Sequence, residues 1–269
     1  MKEAGSGRMA RTRHAALTMV MAALATVSTG AAAADLQVSP ILVEFEAGQQ
    51  AAAAWLSNTG QQPLKAQVRI QSWTQDGHQD VLDATRDLVA SPATVEVEPG
   101  GRQMVRLIRL QPAPMPQERS YRLLVDELPG DPSAGQEGLQ FLLRYSIPVF
   151  IAPAGVDAAR SQATSAATTP PPPTDLADLQ LKLEPHADGS TLLATNAGMR
   201  RIKLSQLTLV DADGRERPLN QGLLGYVLAG RSMSWPLPLP YPLKPGQTLK
   251  ARFNDDLQAQ PLPLDRTGH

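Results

Sequence analysis

Acid–base and metal chemistry near neutral pH falls first to histidine, and this chain of 269 residues has four. His14 lies near the N-terminus, His269 is the last residue, and His78 and His186 stand beside turn formers. No two have metal-ligand spacing, and with no cysteine in the chain there is no thiolate to complete a metal site, no cysteine nucleophile and no disulfide. The serine nucleophile elbow G-x-S-x-G, the Gly-rich phosphate loop and the dinucleotide fingerprint are all missing. Glu44, Glu46, Asp126 and Glu127 could be paired on paper as a glycosidase dyad, but carboxylates alternating along strands are ordinary solvated positions. A net charge of −1 and a pI near 6.4 give no phosphate-binding surface, so no nucleic-acid partner is expected. The expectation is a protein with no catalytic residue, no metal and no cofactor, whose work is binding.

The stretch best suited to binding is Gly138–Ala154, GLQFLLRYSIPVFIAPA. Its odd positions, Leu139, Phe141, Leu143, Tyr145, Ile147, Val149 and Ile151, are all large and apolar, while its even positions are mixed. Alternate side chains of a strand share a face, so the pattern predicts one continuous apolar ridge. The run is long against the usual strand of about 5–6 residues. Pro148 cannot donate to a ladder, which places the strand at an edge or bulge. An ordinary core strand is one reading; a strand whose ridge runs past its own core toward a partner is the other, and the length and the proline favour it.

Other elements must position that stretch. Arg8, Arg11, Arg13 and His14 precede the short apolar run Ala15–Val27, and Gly30–Ala34 supplies small residues with Ala32 and Ala34 in A-x-A positions. This is the pattern of an export signal, residues 1–34, cleaved between Ala34 and Asp35. The apolar run is shorter than the ~20 residues that cross a bilayer, so no membrane insertion is expected. Seven strand-like runs follow: Leu36–Phe45, Ala51–Ser57, Lys65–Thr74, Leu88–Val97, Gln103–Leu110, Ser120–Leu128 and Leu139–Ile151. The breaks between them are rich in Gly, Pro, Asn and Asp, and seven short strands in ~120 residues is the pattern of an immunoglobulin-like sandwich. Ser161–Asp175, with four consecutive prolines, cannot build a core and reads as a spacer. Six weaker runs then recur between Leu179 and Phe253. The fold class expected is all-β, with two immunoglobulin-like sandwiches at 35–155 and 176–269 joined by a Pro-rich linker at 156–175.

In their order these motifs resemble the periplasmic chaperones of the chaperone–usher pathway, the PapD-like family that assembles pili. Val38-Ser39-Pro40 through Gly48 is similar to the family's first strand, and Leu56-Ser57-Asn58 to the end of its second. Ser91–Val95, Pro99-Gly100 and Gln103–Leu107 resemble the segment leading into its fifth, and Glu118–Pro129 its sixth. Asn196-Ala197-Gly198 and Gly222–Leu228 with Gly230 and Trp235 resemble the branch that assembles thin, spore-coat-protein-like fimbriae. The resemblance implies a periplasmic chaperone that stabilises pilus subunits by donor-strand complementation and delivers them to an outer-membrane usher. The alternative is a secreted structural module such as a pilus subunit or adhesin, but a complete first sandwich with Asp35 leading straight into a strand favours the chaperone.

The resemblance also implies site residues. The long stretch falls on the family's donated seventh strand, with Leu139, Phe141, Leu143 and Tyr145 facing the subunit and Ile147, Val149 and Ile151 in the protein's own core. The family's cationic pair for the subunit's terminal carboxylate falls on Leu42 and Pro148, neither of which binds a carboxylate. Arg106, Arg109, Arg119, Arg122 and Arg144 are the nearby candidates to replace it, with Arg106 and Arg109 preferred. An odd separation puts those two on opposite faces.

Overall fold

The computed structural model describes residues 35–111, 115–129, 141–154 and 174–264. The export signal, Ala34, Leu139 and most of the Pro-rich spacer lie outside the described residues. From Leu36 onward the chain packs as one compact unit, and every regular element among the described residues is a strand.

Among the described residues the first sandwich has ten strands. Four of them, β1 (Leu36–Ser39), β3 (Ala51–Asn58), β8 (Arg102–Arg109) and β6 (Leu88–Ser91), lie side by side in that order in one sheet. The facing sheet runs β2 (Val43–Phe45), β10 (Arg144–Ile151), β9 (Arg119–Leu128), β4 (Leu64–Asp76) and β5 (Gln79–Ala84), with β7 (Thr94–Val97) also paired to β4. Inward positions of the two sheets meet in one apolar cluster containing Leu36, Phe45, Leu56, Leu107, Leu123 and Val149. Each fully buried side chain of this kind contributes about 1.5–3 kcal/mol, so the alternation of residues decides which face of every strand turns inward.

Several expected boundaries are corrected. Leu36–Phe45 is two strands in different sheets: the chain crosses over at Ser39-Pro40-Ile41, where proline has no N–H for the ladder. Leu88–Val97 divides in the same way at Ser91-Pro92 into β6 and β7. Between the expected runs Lys65–Thr74 and Leu88–Val97 the structure adds a strand, β5, joined to β4 by a tight turn with Gly77 and His78 both at positive φ. Of the long stretch, Phe141–Leu143 lie outside the regular strand, which begins at Arg144.

The second sandwich packs β11 (Leu179–His186), β12 (Gly189–Asn196) and β16 (Ser232–Leu237) against β14 (Glu216–Pro218), β13 (Ile202–Val210), β17 (Thr248–Phe253) and β18 (Gln260–Pro261), with β15 (Leu223–Val227) also on β13. Leu181, Leu192, Leu204, Leu209, Trp235 and Phe253 lie in its core. Gly225 is dictated by packing, since a Cβ there would stand 2.8 Å from the Trp235 ring. One asparagine closes the same corner in each sandwich. Buried Asn58 ends β3, donating from Nδ2 to the carbonyls of Gln62 and Val97 and accepting from the Gly60 N–H. Buried Asn196 ends β12, donating to the carbonyls of Arg200 and Val227 and accepting from the Gly198 N–H. The sequence repeats Asn-x-Gly at both corners because a short amide can imitate a turn of backbone.

The two sandwiches are joined by polar and aromatic contacts. The Gln75 side chain bridges them, donating to the Tyr226 carbonyl at 2.8 Å and accepting from the Leu228 N–H at 3.0 Å. Glu118, with its carboxylate almost wholly enclosed, accepts from Arg201 at both the main-chain N–H (3.0 Å) and the guanidinium (2.5 Å). Arg201 also pairs with Glu44 of β2 and stacks 3.7 Å above the Phe150 ring. Phe150 packs with Trp73 and Tyr226 at centroid separations of 5.6–5.7 Å, and Leu42 rests on the same group.

Candidate functional site, a half-open sheet edge

β10 has two unequal halves. All its residues, Arg144–Ile151, pair antiparallel with β9. On the other side, only Val149–Ile151 have a neighbour, the parallel strand β2. Among the described residues, Arg144–Pro148 therefore present one unpaired main-chain edge. Strand β2 is short because the chain reaches it only after crossing between the sheets at Pro40, so the gap follows from the split of the first strand. Ile41, the residue before Leu42 at that crossing, is 81% exposed.

The odd positions show a gradient of burial along this edge. Val149 and Ile151 lie in the core, and Ile147 is 4% exposed. Tyr145 and Leu143 are half-buried at the margin of the same cluster. Phe141 is 77% exposed, and its neighbour Leu142 is exposed as well. The apolar ridge runs out of the protein's interior into solvent beside an edge with free hydrogen-bonding groups. Such an edge is a template for another strand. Charged and hydroxyl contacts hold the exposed half in place. Tyr145 donates to the Leu36 carbonyl at 2.5 Å, and the Leu143 N–H donates to the Glu127 carboxylate at 3.2 Å. Arg144 pairs with Asp126 of β9, which Arg69 of β4 also meets at 2.5 Å. Burial opposes ionisation of Asp126, but hydrogen bonds from Arg144 and Arg69 prevail and hold its carboxyl below the ordinary value.

The five arginines considered as carboxylate anchors are dispersed. Arg109 is 5% exposed, turned inward, and donates to the carbonyls of Ala47 (2.7 Å) and Gln49 (3.0 Å), clamping the β2–β3 turn. Arg119 pairs with Asp87 at 2.8 Å. Arg122 lies 3.7 Å above the Trp73 ring; burial there lowers its pKa, against the opposing effect of Asp80. Arg106 is exposed on the outer face of the other sheet. Arg144 alone lies on the open segment. The sequence reading missed a cationic group at the cleft between the sandwiches. Leu42, Arg200, Arg201 and Lys203 line a cavity of about 150 Å³ there, with Asp255 paired to Lys203 at 2.6 Å. The run Arg200-Arg201-Ile202-Lys203 carried that signal, but nothing in the sequence placed it against Leu42. Among the described residues, no cluster of three or more histidines and carboxylates is placed to hold a metal.

Residues 35–157 match the family model of the pili and flagellar-assembly chaperones, PapD N-terminal domain. The first sandwich belongs to that family of pilus-assembly chaperones. Among solved structures it is similar to a chaperone–tip adhesion subunit pre-assembly complex, CsuC–CsuE, from archaic chaperone-usher Csu pili of Acinetobacter baumannii, at 26% identity. That match covers 86% of this chain and 98% of the other, with a TM-score of 0.62. The YadV chaperone (19% identity, 85% and 98% covered, TM-score 0.56) and the CupB2 chaperone of Pseudomonas aeruginosa (19%, 84% and 98%, 0.51) share the two-sandwich fold. No curated protein sequence matches.

Proposed function

We propose that the protein captures pilus subunits in the periplasm by strand addition at β10 and passes them to an outer-membrane usher. The observation that carries this reading is the half-open edge at Arg144–Pro148, lying beside a ridge that is core at Ile147 and solvent-exposed at Phe141. In strand addition the main chain supplies affinity and register, and alternate side chains fill the partner's pockets; chaperone–pilin donor-strand complementation is an established instance. The ridge offered to a subunit is Phe141, Leu143 and Tyr145; Leu139, the fourth expected position, lies outside the described residues. Of the five arginines, Arg144 is retained as the contact for a subunit carboxylate because it lies on the open segment. Arg144→Ala, scored by recovery of co-expressed subunit, tests that assignment. The similarity to a chaperone–adhesion subunit complex supports the partner class. Export is supported by the charged, apolar and small-residue order of residues 1–34, and a periplasmic mass beginning at Asp35 is expected.

Hydrogen exchange with and without a pilus subunit tests the capture reading. Amides of Arg144–Ile147 that point away from β9 should become protected on capture. Those of Phe150 and Ala152, on the side already covered by β2, should change little. Unchanged exchange at Arg144–Ile147 in a complex that has formed would place the binding surface elsewhere.

A further inference from the structure

We infer that the outer face of the β1–β3–β8–β6 sheet is a second docking surface, for a protein partner whose carboxylates surround an apolar side chain. Arg106, which the strand-addition site does not use, belongs to it. In a two-sheet sandwich, outward positions alternate with core positions and are normally polar. The outward positions of β3 and β8 are instead Ala51, Ala53, Trp55 and Ser57, cross-paired with Ile108, Arg106, Met104 and Arg102. Val89 of β6 lies beside Ile108. The Arg102 guanidinium lies 3.9 Å above the Trp55 ring, so a flat apolar row is flanked by two cations.

The charges make the face selective. Every lysine and arginine on β4, β9 and β10 of the opposite sheet has a carboxylate within 4.0 Å: Lys65, Arg69, Arg119, Arg122 and Arg144. Arg102 and Arg106 have none among the described residues, and no outward position of β1, β3, β6 or β8 is acidic. Two uncompensated cations around Trp55 and Met104 complement an acidic rim with an apolar centre, and arginine and tryptophan are the residue types that dominate protein interfaces. An anionic membrane offers the same charge, but membrane-surface binding needs apolar groups that sink ~5–10 Å into the lipid. Trp55, Met104, Ile108 and Val89 are half-buried in a flat sheet and do not project that far.

The test uses the full chain, exported in its own cells, with p-benzoyl-phenylalanine in place of Ala53 as a photo-crosslinker. The expected result is one dominant adduct on a peptide bearing Asp or Glu next to an apolar residue. Arg102→Glu with Arg106→Glu should lower its yield about tenfold or more, since like charges at an interface cost more than the 1.4 kcal/mol that tenfold represents. Lysine at the partner's carboxylate should restore the yield. Melting and subunit capture at β10 should be unchanged in the doubly reversed variant, which separates this inference from the strand-addition reading. No adduct, an adduct indifferent to charge reversal, or co-sedimentation with phosphatidylglycerol vesicles that the reversal abolishes would each overturn it.

Discussion

Phe141→Glu separates a donated strand from an ordinary core strand. Burying a phenylalanine contributes about 1.5–3 kcal/mol, and Phe141 is 77% exposed in the free protein. About three quarters of that contribution, roughly 1–2 kcal/mol, is therefore still available to a partner. Glutamate forfeits it and adds the cost of an unpaired carboxylate at an apolar contact, which is at least ~1–3 kcal/mol. The sum of roughly 2–5 kcal/mol corresponds to a loss of affinity on the order of a hundredfold or more. The free protein should barely notice, because exposed substitutions usually stay within about 0.5 kcal/mol. Val149→Glu is the control on the same parity, since Val149 is fully buried and its replacement should prevent folding. Thermal melting of each free variant, beside recovery of a co-expressed pilus subunit, reads the two effects apart. A destabilised Phe141→Glu would mean that Phe141 is core. A stable variant that captures subunits normally would remove the ridge from the binding surface.

Glu118→Gln leaves Arg201 and Arg200 without their buried carboxylate and should cost about 3–5 kcal/mol, seen as a lower melting temperature. Asn196→Ala strands the Val227 and Arg200 carbonyls and the Gly198 N–H, so about 1–3 kcal/mol is expected in chemical denaturation, with Asn58→Ala giving a similar loss in the first sandwich. The depressed carboxyl of Asp126 fixes the sign of a pH effect. Its contribution should be complete above its ordinary value of 3.8 and lost as pH falls through the lower folded value. Asp126→Asn should flatten that acid limb of the melting profile, and an unaltered limb would exclude the triad with Arg69 and Arg144 as its origin.

Parity was the most legible feature of the sequence. Alternation marked Ile147, Val149 and Ile151 as one face, and they share the core cluster of the first sandwich. It could not show where that face leaves the core, because exposure of Phe141 depends on how far β9 and β2 reach alongside. Two strand runs were read as continuous although each divides between sheets. Apolar periodicity survives such a crossing, and Pro40 and Pro92 were the only local marks of it. The cation cluster near Leu42 was hidden for a different reason: about 160 residues separate Leu42 from Arg201 in the chain, and no local pattern reports a contact at that range.

The half-covered edge of β10 also works as a ruler. Val149–Ile151 are locked between β9 and β2, so the strand cannot slide along its own sheet. Anything aligned on Arg144–Pro148 inherits its phase from that locked end, two residues at a time. One residue inserted between Tyr145 and Ser146 would leave the locked end in place and turn Tyr145, Leu143 and Phe141 to the opposite face. Two inserted residues would restore the face but shift each side chain by one repeat along the partner. A captured segment would then have to match a displaced row of side chains, so selectivity for partners should depend on the spacing from Phe141 to Val149 as much as on the residues themselves.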